Sequence, residues 1–536
     1  MQNRLSRLLP PTLLLAVSAL LSRFIGVYRD HLLAKTFGAT SGTGIFNLDV
    51  YYAAFRVPDL IYNLLVLGAV SAAFIPIFTQ YKKQNDLKNA WEFASSVLHM
   101  ILIAIGLISG LIYIFAPALA HVLAGGFNEE QVALTARLMR IMLLSPIFFA
   151  FASVLIGIQD SFKTFFYRSL APLFYNGGIV LGVIFFGEHY GVVGVTWGVV
   201  LGALLQLLIQ LPSLWQVGYK HVWTLGFRRP DVRKSLLLIV PRVIGSSVDQ
   251  IVLIAATLIA SFLGTGAITV FYLANNLNAM PLGIISVSFA ITSFATLSEL
   301  ASEPTTDAFA NEIRKVTGRV LFLIIPAIAG ILILKSDIIN ALLVYGKFSA
   351  EDAELTSKIL GILVVSLFAQ SLMAILARGF FAYHDTKTPL YRGIASAIIA
   401  IGGGYFFAVK LKMGILGIAL GFSLGDIINF FLLYIMLSRK IGHNVLDWLN
   451  AFKMTIASLV MAAAVIGAKA FHPIDGAPLI RVGLLGLYVG LGIVVYFGAA
   501  HLFKIKEVHM FFRFLNKPVK EAPQENEMKT AGNLMD

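Results

Sequence analysis

Stretches of predominantly apolar residues, each about 20 residues or longer, recur fourteen times along this chain, and at 1.5 Å per residue each can cross the roughly 30 Å hydrocarbon core of a bilayer. Their approximate limits are 9–37, 46–80, 91–121, 129–159, 170–187, 192–217, 235–263, 267–298, 310–335, 351–383, 389–409, 414–437, 450–470 and 479–503. Backbone groups in lipid have no water to bond, so spans of this kind must be helices that satisfy their own N–H and C=O groups. The expected fold class is an all-α polytopic membrane protein of about 14 transmembrane helices. Composition agrees, with 58% of the 536 residues hydrophobic and 13% charged, at a mean hydropathy of +0.83. A soluble domain carries about twice that share of charge. Arg4 and Arg7 precede the first run as in a signal peptide, but no small-residue cleavage pattern follows, so the run reads as a retained helix. Pro58 and Pro76 in the second run and Pro146 in the fourth are expected bends, because proline lacks an N–H and clashes with the preceding turn.

The net charge of +13 does not point to nucleic acid, because the basic residues are concentrated in short connections between apolar runs. Counting residues that flank each helix end, the N-terminus, the even-numbered connections and the C-terminal tail hold 27 of the 41 Lys and Arg residues, against 7 in the odd-numbered connections. An excess of Lys and Arg marks the cytoplasmic side, so both termini are expected there. Seven basic residues remain inside helices: Arg23, Arg29, Arg56, Arg137, Arg140, Arg242 and Lys358. Arg137, Arg140, Arg242 and Lys358 lie within a few turns of a helix end, where a long side chain can reach the interface.

The sequence repeats itself. Asp160-Ser161-Phe162-Lys163-Thr164, with Tyr167-Arg168 after it, matches Asp385-Thr386-Lys387-Thr388-Pro389 with Tyr391-Arg392, and the glycine-spaced segment from Gly191 to Gly202 matches that from Gly414 to Gly425. The offset of about 223–225 residues contains six helices. An even number preserves orientation, so the fold should hold two parallel six-helix repeats, with two C-terminal helices left over. The expected boundaries are an N-terminal lobe at 1–218, a basic linker at 219–234, a second lobe at 235–440, the additional helices at 441–503 and a cytoplasmic tail at 504–536. That tail becomes polar after Lys517 and reads as disordered. In transporters built from such repeats the substrate site lies at their interface, near the midplane.

The first helix carries Ser22-Arg23-Phe24-Ile25-Gly26-Val27-Tyr28-Arg29-Asp30. Arg23 lies about 20 Å into the span, where an unpaired charge costs on the order of 2.5–3.5 kcal/mol, so these side chains need a partner or a wet cavity. One outcome is a tie between helices, with Arg23 or Arg29 bonded to Asp30 or Asp49. The other is a cavity in which the planar guanidinium forks hold a phosphate. Gly26 between them permits a bend or the close approach of another backbone. No phosphate-binding Gly-x-x-x-x-Gly-Lys-Ser/Thr loop and no His-Glu-x-x-His occurs, the ten histidines are scattered, and there is no cysteine for a disulfide or thiolate site. Asp249 and Asp426 fall mid-helix, a weak signal for an intramembrane enzyme. No catalytic or metal-ligating set is assigned.

These residues carry a resemblance. Ser22-Arg23-x-x-Gly26-x-x-Arg29-Asp30, Phe37-Gly38-Ala39, the segment from Asp49 to Pro58 with Arg56, the segment from Gly68 to Pro76, and Asp385-Thr386-Lys387-Thr388-Pro389 resemble the MurJ (MviN) family of lipid II flippases across the length of the chain. The resemblance implies a fold of the multidrug/oligosaccharidyl-lipid/polysaccharide exporter type, with the lobes in a V and two further helices shaping a groove for a lipid tail. It implies no enzymatic activity and no cofactor. The implied function is movement of a polyprenyl-pyrophosphate-linked peptidoglycan precursor, lipid II, from the inner to the outer leaflet of the bacterial cytoplasmic membrane by alternating access, driven by membrane potential or an ion gradient. The implied partners are that glycolipid and membrane lipids, with no nucleic acid, and a monomer associating with cell-wall synthesis enzymes.

By the same resemblance Ser22, Arg23, Gly26, Arg29 and Asp30 fall on positions lining the family's central cavity. The family also carries an arginine shortly after the helix 2 proline and another in helix 8, where this chain has Asn63 and Asn276. Arg56 or Arg242 would then supply the missing positive charge. The asparagine and aspartate of helix 11 linked to sodium in some members have no counterpart between Arg392 and Gly404. Two other functions fit the same features: export of another lipid-linked oligosaccharide or an amphipathic drug, and a non-transporting cell-wall scaffold.

Overall fold

A computed structural model describes residues 11–40, 47–63 and 69–508, and among them every regular element is a helix. Arg4, Arg7, Gly68, the side chain of Arg242 and the tail beyond residue 508 lie outside the described residues. The first lobe runs α1 (Pro11–Phe37), α2 (Leu48–Ile61), α3 (Ala69–Lys83), α4 (Leu87–Leu123), α5 (Glu129–Met142), α6 (Leu144–Ser161), α7 (Phe166–Leu181), α8 (Gly187–Leu208) and the short α9 (Pro212–Gln216). The second holds α10 (Pro230–Ser261), α11 (Ala267–Pro281), α12 (Val287–Leu300), α13 (Asp307–Leu342), α14 (Ala350–Val365), α15 (Leu367–Ala382), α16 (Lys387–Tyr405) and α17 (Ile415–Ile441). The additional pair is α18 (Trp448–Phe471) and α19 (Pro478–Leu502), packed against α13. Each of the fourteen apolar segments meets a helix or a helix pair. Among the described residues nine helical runs are long and apolar enough to cross a membrane, ten if the bent pair α14 and α15 is one span.

The bends follow local chemistry only in part. Pro146 withholds the N–H that would bond to Met142, and the helix breaks there between α5 and α6. Pro58 and Pro76, by contrast, sit inside α2 and α3. The 41° bend at Ser366 between α14 and α15 has no proline. Single π-helical turns extend α7 at Gly182–Phe186, α11 at Leu282–Ser286 and α16 at Phe406–Lys410. Only the second follows a proline, Pro281.

The repeat is visible in backbone angles. Gly191 (φ 58°, ψ −145°) and Gly414 (φ 60°, ψ −142°) adopt the same conformation, open to glycine because it lacks a Cβ, and each turns the chain into an antiparallel partner helix. Below each turn the backbones touch. Gly178 and Gly182 face Gly202 and Gly198 across α7 and α8, and Gly404 faces Gly421 across α16 and α17. A Cβ at Gly202 or Gly421 would overlap the facing backbone, whereas one at the exposed Gly402 meets nothing within 4 Å. Gly202→Ala and Gly421→Ala are therefore expected to destabilise the protein by about 1–3 kcal/mol. Gly402→Ala should be neutral or stabilising by up to ~1 kcal/mol. Thermal unfolding of the three purified variants in detergent separates these outcomes.

The other half of the repeat shifts register. Asp160 lies in the last turn of α6, paired with Arg168. Asp385 instead follows α15 and accepts from Thr388 N (3.0 Å) at the start of α16, while Lys440 reaches it at 3.1 Å. The left-handed residues that end α6 and α15 are Lys163 and His384, so the two matching segments sit differently about their turns. The second lobe's first helix also begins at Pro230, inside the stretch 219–234 read as linker, and Arg229 ties it to Glu92 on α4 (2.8 Å). After α19 the chain stays packed: Ile505 and Val508 are buried, and Glu507 accepts from Asn450 at 2.7 Å.

One apolar core is shared by both lobes at the end that carries the odd-numbered connections, running from Leu33, Val50 and Met139 to Phe271, Leu343 and Ile359. Toward the other end the lobes keep separate cores, one around Phe74, Phe78 and Phe93, the other around Phe309, Phe322 and Phe430. Between these two cores α10 packs against α3 and α4, with Val232 in the first lobe's core and Tyr81 donating to Asp231. The helices thus converge at one end and part toward the other.

Polar bonds lock the joined end. Asp49, buried at the start of α2, accepts from Gly266 N (2.6 Å), Thr269 N (2.8 Å) and Thr269 Oγ1 (2.5 Å) at the start of α11. Asp352 closes the capping box of α14 and also accepts from Ala39 N (3.3 Å), Thr40 N (3.2 Å) and Thr40 Oγ1 (2.5 Å) after α1. Each carboxylate belongs to one lobe and its cross-lobe donors to the other.

Candidate functional site

Midway along α1, between the lobes, lies a cavity of about 260 Å³. Ser22, Arg23, Gly26, Arg29 and Asp30 line it from α1, Asn176 from α7, and Asn276, Ala279 and Met280 from α11. The seven-residue spacing of Arg23 and Asp30 puts them on nearly one face of the helix. Gly26 has the Asn176 amide as its nearest neighbour, about 4.0 Å from where a Cβ would stand. Gly283 matters more. A side chain there would overlap the Arg23 guanidinium, which lies against the π turn of α11.

The polar groups form one connected chain. Arg29 donates through Nε (3.0 Å) and Nη2 (2.8 Å) to Asp30 Oδ1, and through Nη1 to Asn176 Oδ1 (2.9 Å). Asn176 Nδ2 donates in turn to Ser22 Oγ (3.2 Å). The second oxygen of Asp30 accepts from Asn276 Nδ2 at 3.0 Å. The network thus runs from α7 through α1 of the first lobe to α11 of the second. Arg23 has no carboxylate partner among the described residues; it donates only to the carbonyls of Ala279 (3.4 Å) and Met280 (3.5 Å). Arg29 is thus an interhelical tie through Asn176, and Arg23 is a cation facing a cavity. With one carboxylate against two guanidinium groups, the cavity keeps a net positive charge and a free planar donor fork.

Two candidates lie elsewhere. Arg56 is buried on α2, where Nε donates to Thr257 Oγ1 (3.0 Å) and the guanidinium stacks 5.3 Å over the Tyr272 ring, so it does not line this cavity. Asn63 turns back on its own helix, donating to Asp59 O at 2.9 Å. The helical backbone continues through Tyr62 into a π turn at Asn63, and this side chain does not line the cavity of Arg23 and Arg29. Asp49 pairs with no arginine but caps α11. Asp426 accepts from Gln370 Nε2 (2.8 Å) and Ser366 Oγ (3.4 Å) and shares no bond with Asp249.

A smaller cavity of about 200 Å³ lies on the other side of Arg29, walled by Asp59, Tyr62, Tyr175, Gln206 and Tyr272. Arg29 separates the two spaces. A third feature is an apolar groove of about 500 Å³ between α13, α14, α15, α17 and α18, lined by Leu321, Ile325, Phe368, Phe430, Trp448 and Phe452. Asn176, which holds Arg29 in place, escaped the sequence reading. Its only signal was an amide inside an otherwise apolar run, next to Gly177 and Gly178.

Comparison with known proteins gives a consistent result. The family model described as lipid II flippase MurJ matches residues 33–477. A probable lipid II flippase MurJ of Rhizobium tropici is 31% identical over 520 residues, covering 92% of this chain and 94% of that protein. The lipid II flippase MurJ of Burkholderia cenocepacia is 28% identical over 519 residues, covering 93% and 98%. Among solved structures, a lipid II flippase MurJ in an inward closed conformation superposes with a TM-score of 0.75 at 24% identity over 94% of this chain and all of that one. An inward-facing multidrug resistance transporter of the MATE family superposes at 0.66 and 18% identity over 78% and 94%. At those identities the two structures speak for the fold.

Proposed function

The chain belongs to the MurJ family of lipid II flippases, and from that premise we propose that its interlobe cavity receives the pyrophosphate of a polyprenyl-linked peptidoglycan precursor on the way from the inner to the outer leaflet. The work is transport, with no bond made or broken in the substrate. The observation that carries this reading is the cation Arg23, free of any carboxylate among the described residues, beside the Asn176–Arg29–Asp30–Asn276 chain that joins the lobes. A guanidinium fork matches two phosphate oxygens, and an anion there compensates the positive charge that Asp30 leaves unbalanced.

At about 260 Å³ the cavity is smaller than sites that enclose drug-sized ligands. The state described is a contracted one, sized for a phosphate group and not for a whole glycolipid. Taken with both termini on the cytoplasmic side, the lobes join at the outer end and part toward the cytoplasm. In alternating access the glycolipid headgroup enters from the cytoplasmic side, displaces the carbonyl contacts of Arg23 and competes with Asp30 for Arg29. The outer end then opens by breaking the Asp49 and Asp352 bonds. The apolar groove beside α18 supplies a lipid-lined track for the polyprenyl chain, which never has to cross the polar centre. The protein acts as a monomer in the bacterial inner membrane, and membrane potential or an ion gradient drives the return.

Complementation of a flippase-depleted bacterium tests this function: a well-expressed wild-type chain that fails to rescue growth rules out lipid II as the substrate. Within the cavity, Asn276→Ala removes a hydrogen bond to a carboxylate, worth about 1.5–3 kcal/mol, and is expected to lower the transport rate roughly tenfold or more. Asn63→Ala should stay within about twofold of wild type, because its amide only bonds its own helix. Lipid II translocation in proteoliposomes measures both, and a larger loss for Asn63→Ala than for Asn276→Ala would reverse the assignment.

A further inference from the structure

At the joined end, away from the central site, a cavity of about 860 Å³ opens between the lobes. Lys35 lines it from the end of α1, Arg137 from α5, Glu188, His189 and Tyr190 from the first turn of α8 before its break at Gly191, and Lys347 from the connection between α13 and α14. Three of these are basic side chains, and none has an ion pair among the described residues; Glu188 is the one carboxylate among the lining residues. Lys35 and Arg137 belong to the first lobe and Lys347 to the second. The Lys347 N–H donates to the Lys35 carbonyl at 2.9 Å, so the two lysines are held side by side across the seam. Gly346 (φ 59°) allows this, since a Cβ there would overlap that carbonyl.

Like charges pinned across a seam push it apart unless an anion lies between them. The rim fixes where such an anion would come from. Phe185 and Tyr190 are 62% and 65% exposed beside the cavity, at the end of a membrane-spanning helix hairpin. Aromatic rings in that position mark headgroup depth, where lipid phosphates are concentrated. We propose that this cavity binds a phosphate oxyanion, supplied by a membrane lipid headgroup, and that the bound phosphate bridges Lys347 of one lobe to Lys35 and Arg137 of the other. Occupancy turns repulsion across the seam into attraction and favours the state closed at this end.

The test uses the full-length protein in detergent, with dihexanoylphosphatidylglycerol and inorganic pyrophosphate as probes in isothermal titration calorimetry. Because pyrophosphate also suits the central cavity, every measurement is repeated on an Arg23→Ala/Arg29→Ala/Asp30→Ala background, which removes the paired charges together. On that background the short-chain lipid is expected to bind with 1:1 stoichiometry, and Arg137→Gln/Lys347→Gln to weaken it at least tenfold. Both substituted side chains are exposed, so the fold is retained. If pyrophosphate rather than the lipid binds and is lost in the same variant, the oxyanion site stands and its source is a soluble phosphate. Failure of both probes to bind, or equal affinity with and without Arg137 and Lys347, overturns the proposal. Failure of the central site reads out separately, as pyrophosphate binding indifferent to Arg23 and Arg29.

Discussion

Arg29→Ala is expected to abolish rescue of a flippase-depleted bacterium and to lower lipid II translocation by at least about 10²-fold. The side chain makes three hydrogen bonds, two to Asp30 and one to Asn176, and is 15% exposed. Removing one member of a buried ion pair costs about 3–5 kcal/mol, mostly because the charge left behind has lost its partner. Here that charge is Asp30, left with Asn276 as its one remaining donor. A negative carboxylate facing the cavity would also repel the anion proposed to enter it. Arg29→Lys keeps the charge but loses the fork, and should retain partial activity. Loss of folding is separated from loss of transport by Arg29→Ala/Asp30→Ala, which removes both charges together. That variant should recover expression and thermal stability and remain inactive. Wild-type transport by Arg29→Ala, with expression matched, would remove Arg29 from the substrate path.

The second large effect concerns the joined end. Asp49 accepts three hydrogen bonds from the other lobe, and a hydrogen bond to a charged group contributes about 1.5–3 kcal/mol. The three share one carboxylate, so their sum is not additive; a shift on the order of 3–5 kcal/mol toward the state open at this end is the reasonable scale. That corresponds to a change of about 10²–10⁴ in the equilibrium between states. The chain has no cysteine, so spin labels can be placed on introduced cysteines without background. Exposed Ala133 on α5 and Ala350 at the start of α14 report the distance between lobes. Wild type should give a narrow short distance, and Asp49→Ala should move most of the population to a longer one. An unchanged distribution would mean that the shared apolar core alone keeps this end closed.

Much of this arrangement could be read in the sequence, for reasons that also explain what could not. Arg23, Arg29 and Asp30 stand out because charge inside an apolar run is costly, and the cavity they suggest is present. Gly191 and Gly414 stand out because glycine at matched positions of a repeat marks a turn and a close backbone approach. Asn176 and Asp352 do not. Their partners lie 147 and 312 residues away, at Arg29 and Thr40, and no local pattern links such pairs. Asn63 stands out by likeness to a family pattern and Arg56 as a charge inside an apolar run, and their side chains find other partners: Asn63 bonds back to Asp59 O, and Arg56 takes a ring and a hydroxyl. The matching segments at Asp160 and Asp385 show the same limit. Similar residues kept their order but slid about the turn, so one aspartate ends a helix and the other begins one.

The two longest helices, α4 with 37 residues and α13 with 36, reach away from the joined end like the arms of a caliper. Each is about 55 Å long, so one degree of rotation about the joined end displaces its far tip by about 1 Å. A tilt of roughly ten degrees, smaller than the subunit rotation known from haemoglobin, moves the tip by about 10 Å, the width of about two sugar rings. Arg23 lies about 21 Å from the joined end, so an ångström of movement beside it becomes about 2.5 Å at the opposite mouth of the protein.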